Sequence, residues 1–197
     1  MGENAIELSV QKSFIHNIKV QLYKLAVARS DIASANSLCK LFIEKRLMHR
    51  EEANDHYELR DALISAILVS YSRPFTNNHP HGPLQKKWFK FDNKSFNELH
   101  RRIIDYRNKQ IAHSDFDIRK VYLCPRGYQD EFLVGGLVIS NKPFPIEDIE
   151  TIRDMCDELR VRFGIEIRTL SKHLLNYFPT STALIDIFSE TPYKREE

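Results

Sequence analysis

The sequence predicts a mainly α-helical bundle with a small β-hairpin inserted before a long C-terminal helix. Apolar residues recur at steps of three and four over most of the chain, which is the period of an amphipathic helix. The period changes only within residues 119–145, where short apolar runs lie between glycines and prolines and indicate strands. A chain of 197 residues is long enough for one domain with a substantial core.

The first helical pattern covers residues 14–47. Ser30 or Asp31 could serve as an N-cap and divide this pattern into two helices. A second helix is predicted over residues 51–70, and it should end before Pro74 because the residue preceding proline avoids helical geometry.

A third helix is predicted over residues 95–112, after a lysine-rich segment that contains Trp88, Phe89 and Phe91. These aromatic side chains could stack on nucleic-acid bases while the lysines hold phosphates. Alternatively, they could anchor the segment to the core while the lysines face water. The second interpretation is slightly favoured.

Two short strands are predicted at residues 121–124 and 132–139, around a turn at residues 125–127. A long amphipathic helix follows over residues 146–175, and a short helix around residues 183–188 leads into a polar tail.

We therefore predict a single domain over residues 1–197. It consists of a helical core (1–118), a β-hairpin insertion (119–145) and a C-terminal helix with its tail (146–197).

The composition is typical of a soluble globular protein, with 42% hydrophobic and 28% charged residues. The net charge of +2 is too small to imply nucleic-acid binding by itself. However, residues 86–109 contain eight basic residues against three acidic ones, so the basic character is concentrated around the third helix.

Three widely spaced cysteines show no zinc-ligand spacing, which favours reduced thiols. The N-terminal sequence lacks the pattern of a signal peptide, and the longest apolar run, residues 62–69, is far too short to span a bilayer. We therefore predict a cytoplasmic protein with no membrane association, no metal site and no cofactor.

An arginine interrupts the apolar stripe of the third helix. At about 100° per residue, Arg107 projects near the middle of the apolar arc and His113 lies at its edge. Because arginine cannot shed its charge, its burial costs several kcal/mol unless a partner or an anionic ligand meets it. The arc comprises Phe96, Leu99, Ile103, Ile104, Tyr106 and Ile111.

Arg107 and Asn108 are followed by His113, with five residues between the arginine and the histidine. This run resembles the signature of the HEPN superfamily, which consists of helical-bundle proteins, many of them ribonucleases of toxin–antitoxin and abortive-infection systems. The resemblance covers about residues 58–115. Its flanks are similar to abortive-infection members in the sequences VSYSRPF, LHRRI and AHSD.

The resemblance implies a metal-independent endoribonuclease of toxin or phage-defence type. It also implies a homodimer whose motif helices line a shared cleft for RNA, and an antitoxin as a possible partner. In that reaction Arg107 would stabilise charge on the phosphate, since its planar fork matches phosphate oxygens. His113 would act as general acid or base, and Asn108 would support either group.

Further candidate RNA contacts are Arg101, Arg102, Lys109 and Arg73, although a solvated face is the favoured interpretation for Arg101 and Arg102. His100 lies two turns before the motif arginine. It could support the site or fill a dimer interface, and the interface is favoured.

Two alternatives remain open. In a purely structural dimer, Arg107 would pair with a carboxylate such as Asp105 or Glu98 of the other chain, and His113 would only cap the helix end. In a non-catalytic HEPN-like module, the same residues would bind RNA or nucleotides, or regulate a partner.

Overall fold

The structure is a computed structural model, and parts of the chain lie outside the residues that it describes. The predicted turn at residues 125–127, the short helix around residues 183–188 and the polar tail are among these parts. The described residues are 3–48, 57–77, 82–112, 119–124, 128–129, 132–133, 136–141 and 143–177.

Four α-helices account for most of the described residues, and the predicted mainly helical fold class is confirmed. Short 3-10 helices cover Arg73–Phe75, Lys86–Trp88 and Ile146–Asp148. The α-helices are α1 (Glu3–Glu44), α2 (Tyr57–Ser72), α3 (Lys94–Tyr106) and α4 (Ile149–Leu175).

The first helix is continuous, so the predicted possibility of a break at Ser30 or Asp31 is wrong. The buried face continues past this point through Ala28, Ile32 and Ala35, which are almost inaccessible to solvent. Packing of a continuous apolar face contributes more to helix stability than a local capping preference does. The two polar residues are therefore accommodated inside the helix.

One hydrophobic core joins all four helices, with α1 packed along α4. The apolar side predicted for the last helix is confirmed, since five of its residues are fully buried: Ile149, Ile152, Cys156, Leu159 and Phe163. Fully buried core residues include Ile32, Ala35, Cys39 and Phe42 of α1, Ile67, Leu68 and Tyr71 of α2, Ile103 of α3, and Ile149, Ile152, Met155, Cys156, Leu159 and Phe163 of α4.

Cys39 and Cys156 are free thiols within this core. Burial raises the pKa of Cys39 to about 12 and raises that of Cys156 well above its ordinary value. Because the thiolate is the reactive form of cysteine, these two side chains behave as small apolar core residues.

Local signals explain where α2 ends and α3 begins. The second helix ends at Ser72, two residues before Pro74, as predicted. Pro74 then lies in the first turn of the following 3-10 helix, where its missing N–H costs no hydrogen bond. At the start of α3, the Asn93 side chain accepts a hydrogen bond from the backbone N–H of Ser95 at 2.9 Å, which is a standard N-cap.

Paired strands lie between α3 and α4 in the sequence. β1 (Arg119–Cys124) pairs antiparallel with β4 (Gly136–Asn141), and β2 (Tyr128–Gln129) pairs antiparallel with β3 (Phe132–Leu133). The assignment of residues 119–145 to one hairpin inserted in the bundle stays a prediction, since several connecting residues lie outside the described part.

Candidate functional site

The segment that carries Arg107 is not a regular α-helix. A continuous helix was predicted over residues 95–112, but α3 ends at Tyr106 and a π-helical turn, Arg107–Ala112, follows. In this turn the backbone hydrogen bonds span five residues instead of four, so the α-helical angle per residue no longer applies. Such widened turns are rare, and they occur frequently at functional sites.

The core holds this turn in place. Leu99 and Ile103 are buried in the shared core, and α2 also contacts the π-helical turn. The Tyr106 ring meets the buried Phe144 ring edge-on, with 5.1 Å between the ring centroids. The position of Arg107 is therefore fixed by packing on the residues immediately before it.

Arg107 is half-buried, and the prediction that it projects near the middle of the apolar arc is only partly met. Ile103, one turn earlier, is fully buried, whereas the guanidinium lies at the margin of the core. Its Nη1 donates a hydrogen bond to the side-chain oxygen of Asn108 at 3.0 Å. Both residues belong to the π-helical turn, so this contact lies within it.

No carboxylate pairs with Arg107 among the described residues. Asp105, which the structural alternative pairs with Arg107 of the other chain, forms an ion pair with Lys109 of its own chain at 3.3 Å. The partner of Arg107 is the neutral Asn108 amide, which orients the guanidinium without cancelling its charge. Since only one of its five N–H donors is used in this bond, Arg107 can still donate several hydrogen bonds to an anion.

His113 lies outside the described residues, and so does the side chain of every residue from Gln110 to that position. The described site therefore includes Arg107 but does not include His113. The catalytic role of His113 stays a prediction.

Three of the other predicted RNA contacts bond to different segments of the protein. Arg102 pairs with Asp148, which precedes α4, at 2.5 Å, and Arg73 pairs with Asp31 of α1 at 3.5 Å. Arg101 is exposed and bonds only weakly to a carbonyl of its own helix at 3.4 Å. These side chains remain more than one-third exposed, so their ion pairs do not prevent contact with a ligand.

The aromatic residues before α3 anchor that segment to the core. Phe91 is buried, Phe89 stacks on His100, and the Trp88 ring meets Phe163 of α4 edge-on at 6.2 Å. The favoured interpretation is confirmed, because these rings are engaged within the protein. The lysines that alternate with them, Lys86, Lys87, Lys90 and Lys94, are exposed and keep their charge at the surface.

His100 fills a buried aromatic cluster, which the sequence did not suggest. Its ring stacks on Phe89 with 4.6 Å between centroids, and Phe75 meets it edge-on at 4.9 Å. The hydroxyl of the buried Tyr71 lies 2.9 Å from His100 Nδ1. The favoured dimer-interface role is wrong, because only 6% of this residue is exposed in a single chain.

Burial lowers the pKa of His100 to about 4, so the ring is neutral near pH 7. A neutral, enclosed imidazole cannot exchange protons with a ligand at the surface. His100 therefore positions the motif helix on α2 and takes no direct part in chemistry.

No family model, no curated protein and no solved structure matches the chain. Among the described residues, no group of three or more His, Cys, Asp or Glu side chains could hold a metal ion. Within the same residues, no helix is long and apolar enough to cross a membrane.

Proposed function

We propose that this chain is a HEPN-like, metal-independent endoribonuclease of toxin or phage-defence type. The observation that carries the proposal is the environment of Arg107. Its guanidinium is half-buried, is oriented by Asn108, and meets no carboxylate among the described residues. A positioned arginine with free donors is the group that a phosphate in RNA requires.

In the proposed reaction, a base removes the proton from a ribose 2′-OH, and the resulting oxygen attacks the adjacent phosphorus. The bond to the 5′-oxygen of the next nucleotide breaks, and that oxygen takes up a proton. Arg107 stabilises the added negative charge on the phosphate oxygens. His113 is assigned the proton transfers, since histidine titrates near neutrality.

The proposed dimer would bring a second copy of the π-helical turn to the same cleft. Two Arg107 side chains would then face one RNA strand, with Arg101, Arg102 and Lys109 as flanking phosphate contacts. The exposed lysines before α3 extend the positive surface toward the start of the same helix. An antitoxin that covers this surface is a possible regulatory partner.

The alternative of a purely structural arginine is less well supported. It requires a carboxylate such as Asp105 or Glu98 of the other chain, whereas the Asn108 amide already orients the guanidinium within one chain. A non-catalytic module that binds RNA or nucleotides would use the same free guanidinium. It differs from the proposed enzyme only in the absence of cleavage.

Purified protein incubated with total RNA in excess EDTA would test the proposal. The Arg107→Ala and His113→Ala variants should lose cleavage, and the fragments should end in 2′,3′-cyclic phosphates. Arg153→Ala is a matched control, since Arg153 pairs with Asp154 at the surface of α4. It should cleave like the unsubstituted protein.

The outcomes separate the alternatives. Binding of RNA without cleavage, weakened by Arg107→Ala, would favour the non-catalytic module. Cleavage that survives both motif substitutions would contradict the assigned mechanism.

A further inference from the structure

Three arginines line a groove between α1 and α4. The groove has a volume of about 440 Å³ and is bordered by Arg29, Asp157, Arg160, Val161, Gly164 and Arg168. A second cleft of about 320 Å³ shares Arg29 and Arg160 and continues the groove along α1. None of the residues assigned to the ribonuclease site borders either cleft.

The spacing along α4 explains the convergence of these side chains. Arg160, Gly164 and Arg168 follow one another at four-residue steps, so they share one helix face. The glycine leaves space between the two arginines, and the Arg29 side chain of α1 enters that space. A Cβ atom at Gly164 would lie 3.7 Å from Arg29 Nε.

Positive charge in this groove is only partly compensated. Asp157 pairs with Arg160 at 3.3 Å and also accepts a hydrogen bond from the buried Asn36 at 3.0 Å. No carboxylate among the described residues pairs with Arg29 or Arg168. Within the described ranges, two guanidinium groups on facing helices therefore have no counter-charge.

Arg160 is the third arginine of the groove. Its Nε–H is buried from solvent and has no hydrogen-bond partner among the described residues, so this donor is closed to an anion in the groove. The rest of the guanidinium can contact an anion, since the Arg160 side chain is 36% exposed. Guanidinium groups match the oxygens of phosphate better than any other side chain does.

We infer that this groove binds a phosphate-bearing ligand, with Arg29 and Arg168 as its main contacts and Arg160 in support. The phosphate belongs either to a free nucleotide or to an RNA strand. This site is separate from Arg107, and its occupation does not depend on ribonuclease activity.

Calorimetric titration with inorganic tripolyphosphate tests the inference directly. The Arg29→Gln/Arg168→Gln variant should bind at least about tenfold more weakly, because each charge-assisted hydrogen bond lost is worth roughly a factor of ten. Gly164→Gln should also weaken binding by filling the groove without changing its charge. Lys172→Gln is the control, since it removes one charge a single turn beyond Arg168 and outside the groove.

Melting temperatures of all variants would verify that they remain folded. Parallel titrations with ATP and with a single-stranded RNA oligonucleotide identify the source of the phosphate. The source is the ligand whose affinity falls in the Arg29→Gln/Arg168→Gln variant. The inference is overturned if tripolyphosphate does not bind, or if Lys172→Gln weakens binding as much as the double variant does. A polyglutamate peptide that binds more tightly than tripolyphosphate would also overturn it, in favour of an acidic protein partner.

Discussion

The Tyr71 hydroxyl and the His100 Nδ1 atom lie 2.9 Å apart in the buried interface between α2 and α3. Burial raises the pKa of the Tyr71 phenol well above its ordinary value, so the hydroxyl keeps its proton. Both groups are therefore neutral near pH 7, and each is the hydrogen-bond partner of the other within the aromatic cluster. This contact fixes the helix that precedes Arg107 against α2.

The cluster predicts a loss of stability in acid. In the unfolded chain His100 takes up a proton near pH 6.5, but in the folded protein its pKa is about 4. As the pH falls from 6.5 to 4, proton uptake favours the unfolded state. The contribution of this group should lower the free energy of unfolding by about 3 kcal/mol over that interval and be constant above it.

Urea unfolding as a function of pH would measure this effect against a Tyr71→Phe/His100→Phe variant. The double substitution removes the titrating ring and leaves no buried hydroxyl without a partner. Its stability should fall less steeply below pH 6.5. If the free energy of unfolding falls equally steeply with pH in the two proteins, the assignment of a buried neutral histidine is contradicted.

The last helix allows a paired test of the core. Phe163→Ala should lower the free energy of unfolding by about 3–5 kcal/mol, because it removes a fully buried ring that packs near Trp88. Val161→Ala, two residues earlier on the same helix, should change it by no more than about 0.5 kcal/mol, since Val161 is 62% exposed. Chemical denaturation would give both values, and similar losses would place the core on a different face of α4.

The Arg102–Asp148 ion pair separates a structural role from an RNA-binding role. Arg102 is about half exposed, so breaking the pair by Arg102→Ala or by Asp148→Ala should cost less than about 1 kcal/mol of stability. If Arg102 contacts RNA, only Arg102→Ala should weaken binding in a filter assay, because Asp148→Ala leaves the guanidinium free. Equal weakening by both variants would assign the pair a purely structural role.

The pattern of buried residues was the part of the fold most open to prediction. Ile152, Leu159 and Phe163 recur at the helical period, and all three are fully buried. A second local rule, that the residue before proline avoids helical geometry, predicted that α2 ends before Pro74. These features depend on interactions between residues close in sequence, which a single chain reveals directly.

Contacts between distant segments could not be predicted in the same way. Phe75 and Phe89 enclose His100 from different parts of the chain, so no local period indicates a buried histidine. The spacing of Arg160 and Arg168 was visible in the sequence, but Arg29 joins them from another helix. The π-helical turn was missed because the predicted direction of Arg107 assumed α-helical geometry.

The most direct test of the proposed function is the single-turnover rate of cleavage of one defined RNA in EDTA, at saturating protein. Arg107→Ala should lower this rate by about 10²-fold or more, as expected for the loss of one donor to a charged transition state. Arg107→Lys should retain an intermediate rate, because it keeps the charge but loses the planar fork. An Arg107→Ala variant that cleaves as fast as the unsubstituted protein would contradict the account.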